Sequence, residues 1–252
     1  DLALHYGFNG NHQSVGQIYP RSEDYLIISK LLLICSSISS LAINIRLMSG
    51  QGYLSEGTGL DQTGSTAMPH KINPRTSERI NGLMTLLRGY SSIASELSGN
   101  EWNEGDVSCS VVRRVIIQDA FFAADGILNS IYNVLTNLVV NQEKIKSELE
   151  KNLPYLCSST ILMALVKAGL GREEAHTRIK HLTKLYSHNP EECRKQLIVE
   201  FKDFISIDQF EKIFQDFANL SGNSIRECES VSKTITETII VEKNDIRFEM
   251  RY

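Results

Sequence analysis

The chain has 252 residues, 42% of them hydrophobic and 22% charged, with a formal net charge of −4. That length can bury a sizeable core in one large or two smaller domains, and the composition excludes disordered and fibrous classes. With no basic field over the whole chain, nucleic acid is not expected as a partner, and an anionic ligand would need a local cluster of cations.

In chain order, the dominant signal is helical periodicity. Apolar residues recur at helical spacing from Ser22 to about Met48 (Tyr25, Ile28, Leu32, Cys35, Ile38), and Gly50 and Gly52 close the segment. The short apolar patch Leu31–Ile34 is too short to span a bilayer, so no membrane segment and no signal peptide are expected. A second helix is predicted to start at Asn73-Pro74, with Asn as cap and Pro at the first helical position, and to run through Ile80, Leu83, Met84 and Leu87 to Leu97 before Gly99. A third runs from about Ser108 to Leu138. Helices of this length that are apolar over much of their surface need partners along their whole length, which predicts a bundle. Beyond residue 140 the pattern changes to shorter helices near 141–152, 158–169, 172–187, 190–200, 207–219 and 222–240, punctuated by Pro154, Gly169, Gly171, Pro190 and Gly222. The reading is an all-α protein with a long-helix bundle over 1–140 and a smaller helical domain over 141–252. Strand signals are weak.

The five cysteines are odd in number, widely spaced and free of any Cys-x-x-Cys pair, which points to a reducing, cytoplasmic setting rather than a disulfide framework or zinc site. Trp102, the single tryptophan, reads as a packing anchor. The sequence opens Asp1-Leu2-Ala3 without Met, as a fragment would.

The most informative string is Gly64-Ser65-Thr66-Ala67-Met68-Pro69-His70-Lys71-Ile72-Asn73-Pro74. It leads into a helix N-terminus, where free amides and the positive dipole end favour an anion, and Lys71 adds a full charge. A carboxylate substrate held there would lie close to Ser65. One turn on, Glu78 is expected on dipole grounds alone, whereas Arg79 is not, unless an anion offsets it. At the start of the third helix, Ser110 and Arg114 share a face four residues apart. That pair fits a phosphate grip and a solvated helix start equally well.

The string resembles the signature loop of the fumarase/aspartase superfamily, with Thr66 in place of the second serine. Val15-Gly16-Gln17-Ile18-Tyr19-Pro20-Arg21, Arg75-Thr76-Ser77-Glu78-Arg79 and Ser108–Arg114 look like the adenylosuccinate lyase family within it, and His70 stands where fumarases and argininosuccinate lyases have Gly or Gln. The likeness covers nearly the whole chain and is strongest from 15 to 126.

What the resemblance implies is a β-elimination. Ser65 removes the proton alpha to a succinyl carboxylate, and the C–N bond then breaks to release fumarate. Lys71 and Asn73 hold the carboxylate, with Thr66 alongside; Glu78 orients a histidine; Gln17, Arg79, Ser110 and Arg114 contact the nucleotide. The substrates are adenylosuccinate and its imidazole-carboxamide analogue. The family is homotetrameric with active sites shared between subunits, and needs no metal or organic cofactor; neither a nucleic-acid nor a membrane partner is implied.

Two departures stand out. Some relatives carry an arginine ligand at the position of Gly105. The general-acid histidine lies upstream of this chain, and His5, His12, His176, His181 and His188 have no motif context that replaces it. Two other readings remain: an inactive helical oligomerisation module, and a sister lyase with another succinyl substrate.

Overall fold

The computed structural model describes residues 5–7, 12, 14–57, 73–102, 106–216 and 220–238. In order it contains α1 (Ser22–Gly50), β1 (Leu54–Ser55), α2 (Arg75–Leu97), α3 (Val107–Asn137), β2 (Val139–Val140), α4 (Gln142–Leu156), α5 (Ser158–Lys167), α6 (Arg172–Leu185), α7 (Pro190–Phe201), α8 (Ile207–Gln215) and α9 (Ser224–Thr238). The fold is all-α, a long-helix bundle followed by a group of shorter helices. The chain divides into two compact units, residues 1–145 and 146–252.

In the first unit α1, α2 and α3 pack side by side. Their buried positions repeat every seven residues: Ile28, Cys35 and Ala42 on α1; Ser77, Met84 and Ser91, with Ile80, Leu87 and Ala94, on α2; Cys109, Ile116, Ala123 and Ser130, with Ala120, Ile127 and Val134, on α3. A seven-residue repeat keeps one stripe facing the neighbouring helix, the geometry of supercoiled bundles. Small residues let the axes approach closely; a Cβ at Gly126 would come within 3.1 Å of Leu83 Cδ1. The stripes leave other apolar faces uncovered, including Leu33, Ile34, Leu41 and Leu47 on α1 and Val111, Val115, Phe122 and Tyr132 on α3.

By length and composition α1 meets the requirement for a membrane-crossing helix, with a mean hydropathy of 2.1 over its most apolar window. The four-residue patch noticed in the sequence underestimates it, because the run extends over most of the 29-residue helix. Its inward stripe carries the buried polar residues Asp24 and Ser39, and Asn81 of α2 donates to the Ser39 carbonyl and hydroxyl at 3.0 and 2.9 Å. These are bundle contacts.

The strand pair has no clear sequence signal. β1 and β2 are antiparallel, with Leu54 opposite Val140 and Ser55 opposite Val139, and the Asn141 amide donates to the Tyr53 carbonyl at 2.8 Å. Two residues are too few for an alternating pattern to be read. The pair ties the end of α3 to the residues just after α1. Trp102, expected as a packing anchor, is 87% exposed, because it sits in the α2–α3 connection outside the helical stripe.

The second unit gathers Ile161, Leu165, Leu197, Phe201, Phe210 and Phe214 into its own core. The Arg178 and Arg194 guanidinium groups lie 4.9 and 4.8 Å from the rings of Phe201 and Phe214, covering them with cations. Asn189 caps α7 by accepting from the Glu192 amide, with Pro190 in its first turn, and Ser206 with Gln209 forms a capping box on α8. Pro154 punctuates the sequence but does not end α4, which continues to Leu156.

Candidate functional site

Gly57 enters the segment that carries the signature string, and Asn73 leaves it. Residues 58–72, with Ser65, Thr66 and Lys71, lie outside the described residues. Both ends of that segment are held. Gly57 has φ +62°, and a Cβ there would lie 1.7 Å from the Asn137 carbonyl oxygen, so only glycine fits against the end of α3. Immediately before it, Glu56 is 4% exposed and reaches the start of α2, where its carboxylate accepts from the amides of Thr76 at 3.0 Å and Ser77 at 2.7 Å and from the Ser77 hydroxyl at 2.6 Å.

This corrects the expectation of free amides at that helix start. The helix begins at Arg75 with Pro74 at the cap position, one residue later than read from the sequence. Proline has no side-chain acceptor, so a remote carboxylate fills the role. The Arg75 amide bonds to the Asn73 carbonyl at 2.9 Å and the Glu78 amide to the Pro74 carbonyl at 3.0 Å. The amides of Thr76 and Ser77 are therefore not available to a substrate carboxylate near Asn73. Glu78 and Arg79 follow on the first turns of α2, both exposed. Sequence reading missed Glu56; the adjacent Glu56-Gly57 pair, an acid followed by a turn residue just ahead of the signature string, was the available signal.

A second group lies at the start of α3. Asp106 caps the helix, accepting from the amide and hydroxyl of Ser108 at 2.9 and 2.6 Å, and these bonds hold its carboxyl below the usual range. Ser110 is half-buried and Arg114 exposed. Arg113, passed over in the sequence, turns inward: its Nε donates to Asp24 Oδ2 at 2.5 Å and its Nη2 contacts the Tyr19 hydroxyl, which donates to Asp24 Oδ1 at 2.8 Å. Burial first, then the Asp24 bond and charge, push the Tyr19 phenol up. Successive helical residues point about 100° apart, so an Arg-Arg pair cannot present both side chains to one face. Gln17 is exposed and engaged in an interaction of its own; Ser14, Val15, Gly16, Ile18, Tyr19, Pro20 and Glu101 line a shallow depression of about 390 Å³ beside it. Gly105 lies outside the described residues.

The two groups are far apart on one chain. Leu83 lies against Gly126, and Tyr90 donates to Asp119 at 3.5 Å, which fixes the antiparallel register of α2 and α3. In that register Arg79 is level with the residues near 130 on α3. At the helical rise it is roughly 24 Å along the bundle from Arg114 and roughly 30 Å from Ser110. A single chain brings Gln17, Ser110 and Arg114 to one end, and Asn73, Glu78 and Arg79 to the other.

No protein-family model matches the chain. Among curated proteins it is 41% identical over 162 residues to adenylosuccinate lyase of Aquifex aeolicus and 37% identical over 162 residues to that of Bacillus subtilis, each match covering 64% of this chain and 37% of the relative. It is 30% identical over 177 residues to adenylosuccinate lyase of Saccharomyces cerevisiae, covering 70% of this chain and 37% of that protein. The matches thus span little more than a third of the length of these relatives. Among solved structures, the crystal structure of 3-carboxy-cis,cis-muconate lactonizing enzyme from Pseudomonas putida superposes with a TM-score of 0.71 at 19% identity, over 85% of this chain and 48% of that one. That likeness shows the fold.

Proposed function

We propose that this chain, which belongs to the adenylosuccinate lyase family, provides the signature loop and the nucleotide-contact residues of a C–N lyase that releases fumarate from adenylosuccinate and from its imidazole-carboxamide analogue in purine biosynthesis. Ser65 is the base, and removing its own proton requires its alkoxide to be stabilised by nearby donors, Lys71 among them. Lys71 and Asn73, with Thr66, hold the succinyl carboxylate, and strengthen their hold as charge develops on it in the transition state. Glu78 orients the histidine that acts as acid. Gln17, Arg79, Ser110 and Arg114 contact the nucleotide. The reaction moves a proton and an electron pair from carbon to nitrogen. The residues assigned here supply the base and the substrate contacts; the histidine that protonates the nitrogen is not among them, and the chemistry calls for no metal or organic cofactor.

The observation that carries this reading is the anchoring of the signature segment at both ends, by Gly57 against Asn137 and by Glu56 against Thr76 and Ser77. It brings Asn73 to the helix start that bears Glu78 and Arg79. The opposite-end placement of the two groups supports a site completed by other copies, and the uncovered apolar faces of α1 and α3 offer the surface for a cytoplasmic homotetramer.

The test is adenylosuccinate itself. In the intact enzyme, with its acid histidine present, wild type and Ser65→Ala bind it equally while Ser65→Ala abolishes fumarate release, a loss in kcat with little change in KM. The 252-residue chain by itself is expected to release none. Near-normal turnover by Ser65→Ala overturns the base assignment. The second reading, an inactive helical oligomerisation module, draws on the same apolar faces; a self-associating chain that binds no succinyl nucleotide would establish it instead.

A further inference from the structure

Asp24 is an unusual residue to find buried. It lies in the first turn of α1, where an acidic side chain normally faces water and serves the helix dipole, yet it is 2% exposed. A buried carboxylate is costly unless paired and hydrogen-bonded. Its partners come from both directions along the chain: Tyr19 from the segment before α1, and Arg113, 89 residues away, from the second turn of α3. Arg113 also approaches Asp24 Oδ1 with Nη2 at 3.4 Å. The guanidinium groups of Arg21 and Arg113 lie 5.0 and 5.3 Å from the Tyr19 ring centroid, and Arg21, itself 7% exposed, pairs with Glu101 at 3.3 Å. Three stretches that no secondary structure joins, 19–24, 101 and 113, are locked together here.

Every candidate nucleotide contact at this end is adjacent to the lock. Gln17 is two residues before Tyr19, Ser110 is one turn before Arg113, and Arg114 directly follows it. Arg113 commits Nε and Nη2 to Asp24 and Tyr19, leaving Arg114 as the exposed member of the pair. We propose that Tyr19, Asp24 and Arg113 form a positioning unit that sets the Gln17 segment against the first turns of α3 and so fixes the nucleotide edge of the site. This rests on the nucleotide reading of Gln17, Ser110 and Arg114 given above. Binding groups lose affinity when displaced by an ångström or so, and these side chains join two segments that are far apart in sequence.

Asp24→Asn keeps the shape and removes the charge; Tyr19→Phe removes one hydroxyl at the surface and carries the test if Asp24→Asn does not fold. Three quantities are measured on the 252-residue chain: amide hydrogen exchange over residues 16–21, affinity for adenosine 5′-monophosphate against adenosine, and the urea unfolding midpoint. The expected result is faster exchange over 16–21 with exchange in the middle of α3 unchanged, and an affinity for the monophosphate lower by about tenfold. Faster exchange with unchanged affinity overturns the positioning role and leaves the proposed function standing, as does a lowered unfolding midpoint with both other quantities unmoved. A wild-type chain that binds neither compound overturns the nucleotide reading, and this proposal with it.

Discussion

Oε1 of Glu56 accepts both the backbone amide of Ser77 at 2.7 Å and its hydroxyl at 2.6 Å, while Oε2 takes the amide of Thr76 at 3.0 Å. Ser77 is fully buried, so these donors have no access to water. One carboxylate thereby caps α2 from outside the helix and closes the base of the segment that carries Ser65. Glu56→Ala leaves buried donors unmatched and is expected to cost about 3 kcal/mol or more of unfolding free energy, against about 1 kcal/mol for Ser77→Ala, which removes a single hydroxyl together with its need for a partner. Urea denaturation measures both. Equal effects would mean that the carboxylate does little beyond its bond to the hydroxyl.

Gly57 and Gly52 both have positive φ, +62° and +74°, but their surroundings differ. A Cβ at Gly57 meets backbone, the Asn137 carbonyl, whereas none of the surrounding atoms lies within 4 Å of one at Gly52. Gly52→Ala should therefore cost only the left-handed backbone penalty, about 1–2 kcal/mol. Gly57→Ala must in addition separate β1 from the end of α3, and is expected to be the more destabilising by several-fold and to increase amide exchange at Tyr53 to Ser55. Matching stabilities for the two variants would show that the chain yields easily at Gly57.

Much of this was legible in the sequence, for reasons tied to particular residues. Sustained periodicity from Ile28 to Ala42 and from Ile80 to Ala94 gave the long helices, because an apolar stripe repeated over several turns matches the helical period and not the two-residue period of a strand. The helices of the second unit followed from Gly169, Gly171 and Pro190, where local backbone chemistry decides. Glu56 as a cap, the inward turn of Arg113 and the β1–β2 pair were not legible. Each depends on a contact between residues distant in sequence, from 20 to 89 positions apart, that no local pattern encodes. Trp102 departs from expectation for a different reason: a large aromatic is usually buried, but its place in a connection sets it outside the stripe.

Four of the five thiols, Cys35, Cys109, Cys157 and Cys193, are buried, and Cys228 is exposed on α9. A thiol reagent under native conditions should label Cys228 at once and the others only as the chain opens. Burial pushes the Cys35, Cys157 and Cys193 thiols up, and the Asp216 charge adds to burial at Cys157. A raised folded-state pKa means that the folded chain keeps these protons longer than the unfolded chain. The associated stability is therefore full below the ordinary thiol pKa of about 8.5 and is lost as pH rises above it. Cys193→Ala should flatten this alkaline loss relative to wild type in urea titrations between neutral pH and the alkaline range. A variant that loses stability as steeply as wild type would place the cause elsewhere.

Arg79 and Arg114 are assigned to one ligand, yet the register set by Leu83 against Gly126 and Tyr90 against Asp119 holds them roughly 24 Å apart along the bundle. No rotamer change spans that distance. If both touch the same nucleotide, they do so from different copies of the chain. Arg79→Ala and Arg114→Ala should each abolish monophosphate binding when every copy carries the change. Mixed assemblies, made by unfolding the two variants together and refolding, should recover binding at about a quarter of the sites, those that draw an intact Arg79 from one copy and an intact Arg114 from another. Binding stoichiometry by calorimetry gives the fraction directly. Recovery requires both that the chain self-associates and that the two arginines serve a common site. No recovery from a mixture shown by sedimentation to contain hybrid assemblies would separate them, leaving Ser110 and Arg114 at one site and Arg79 at another.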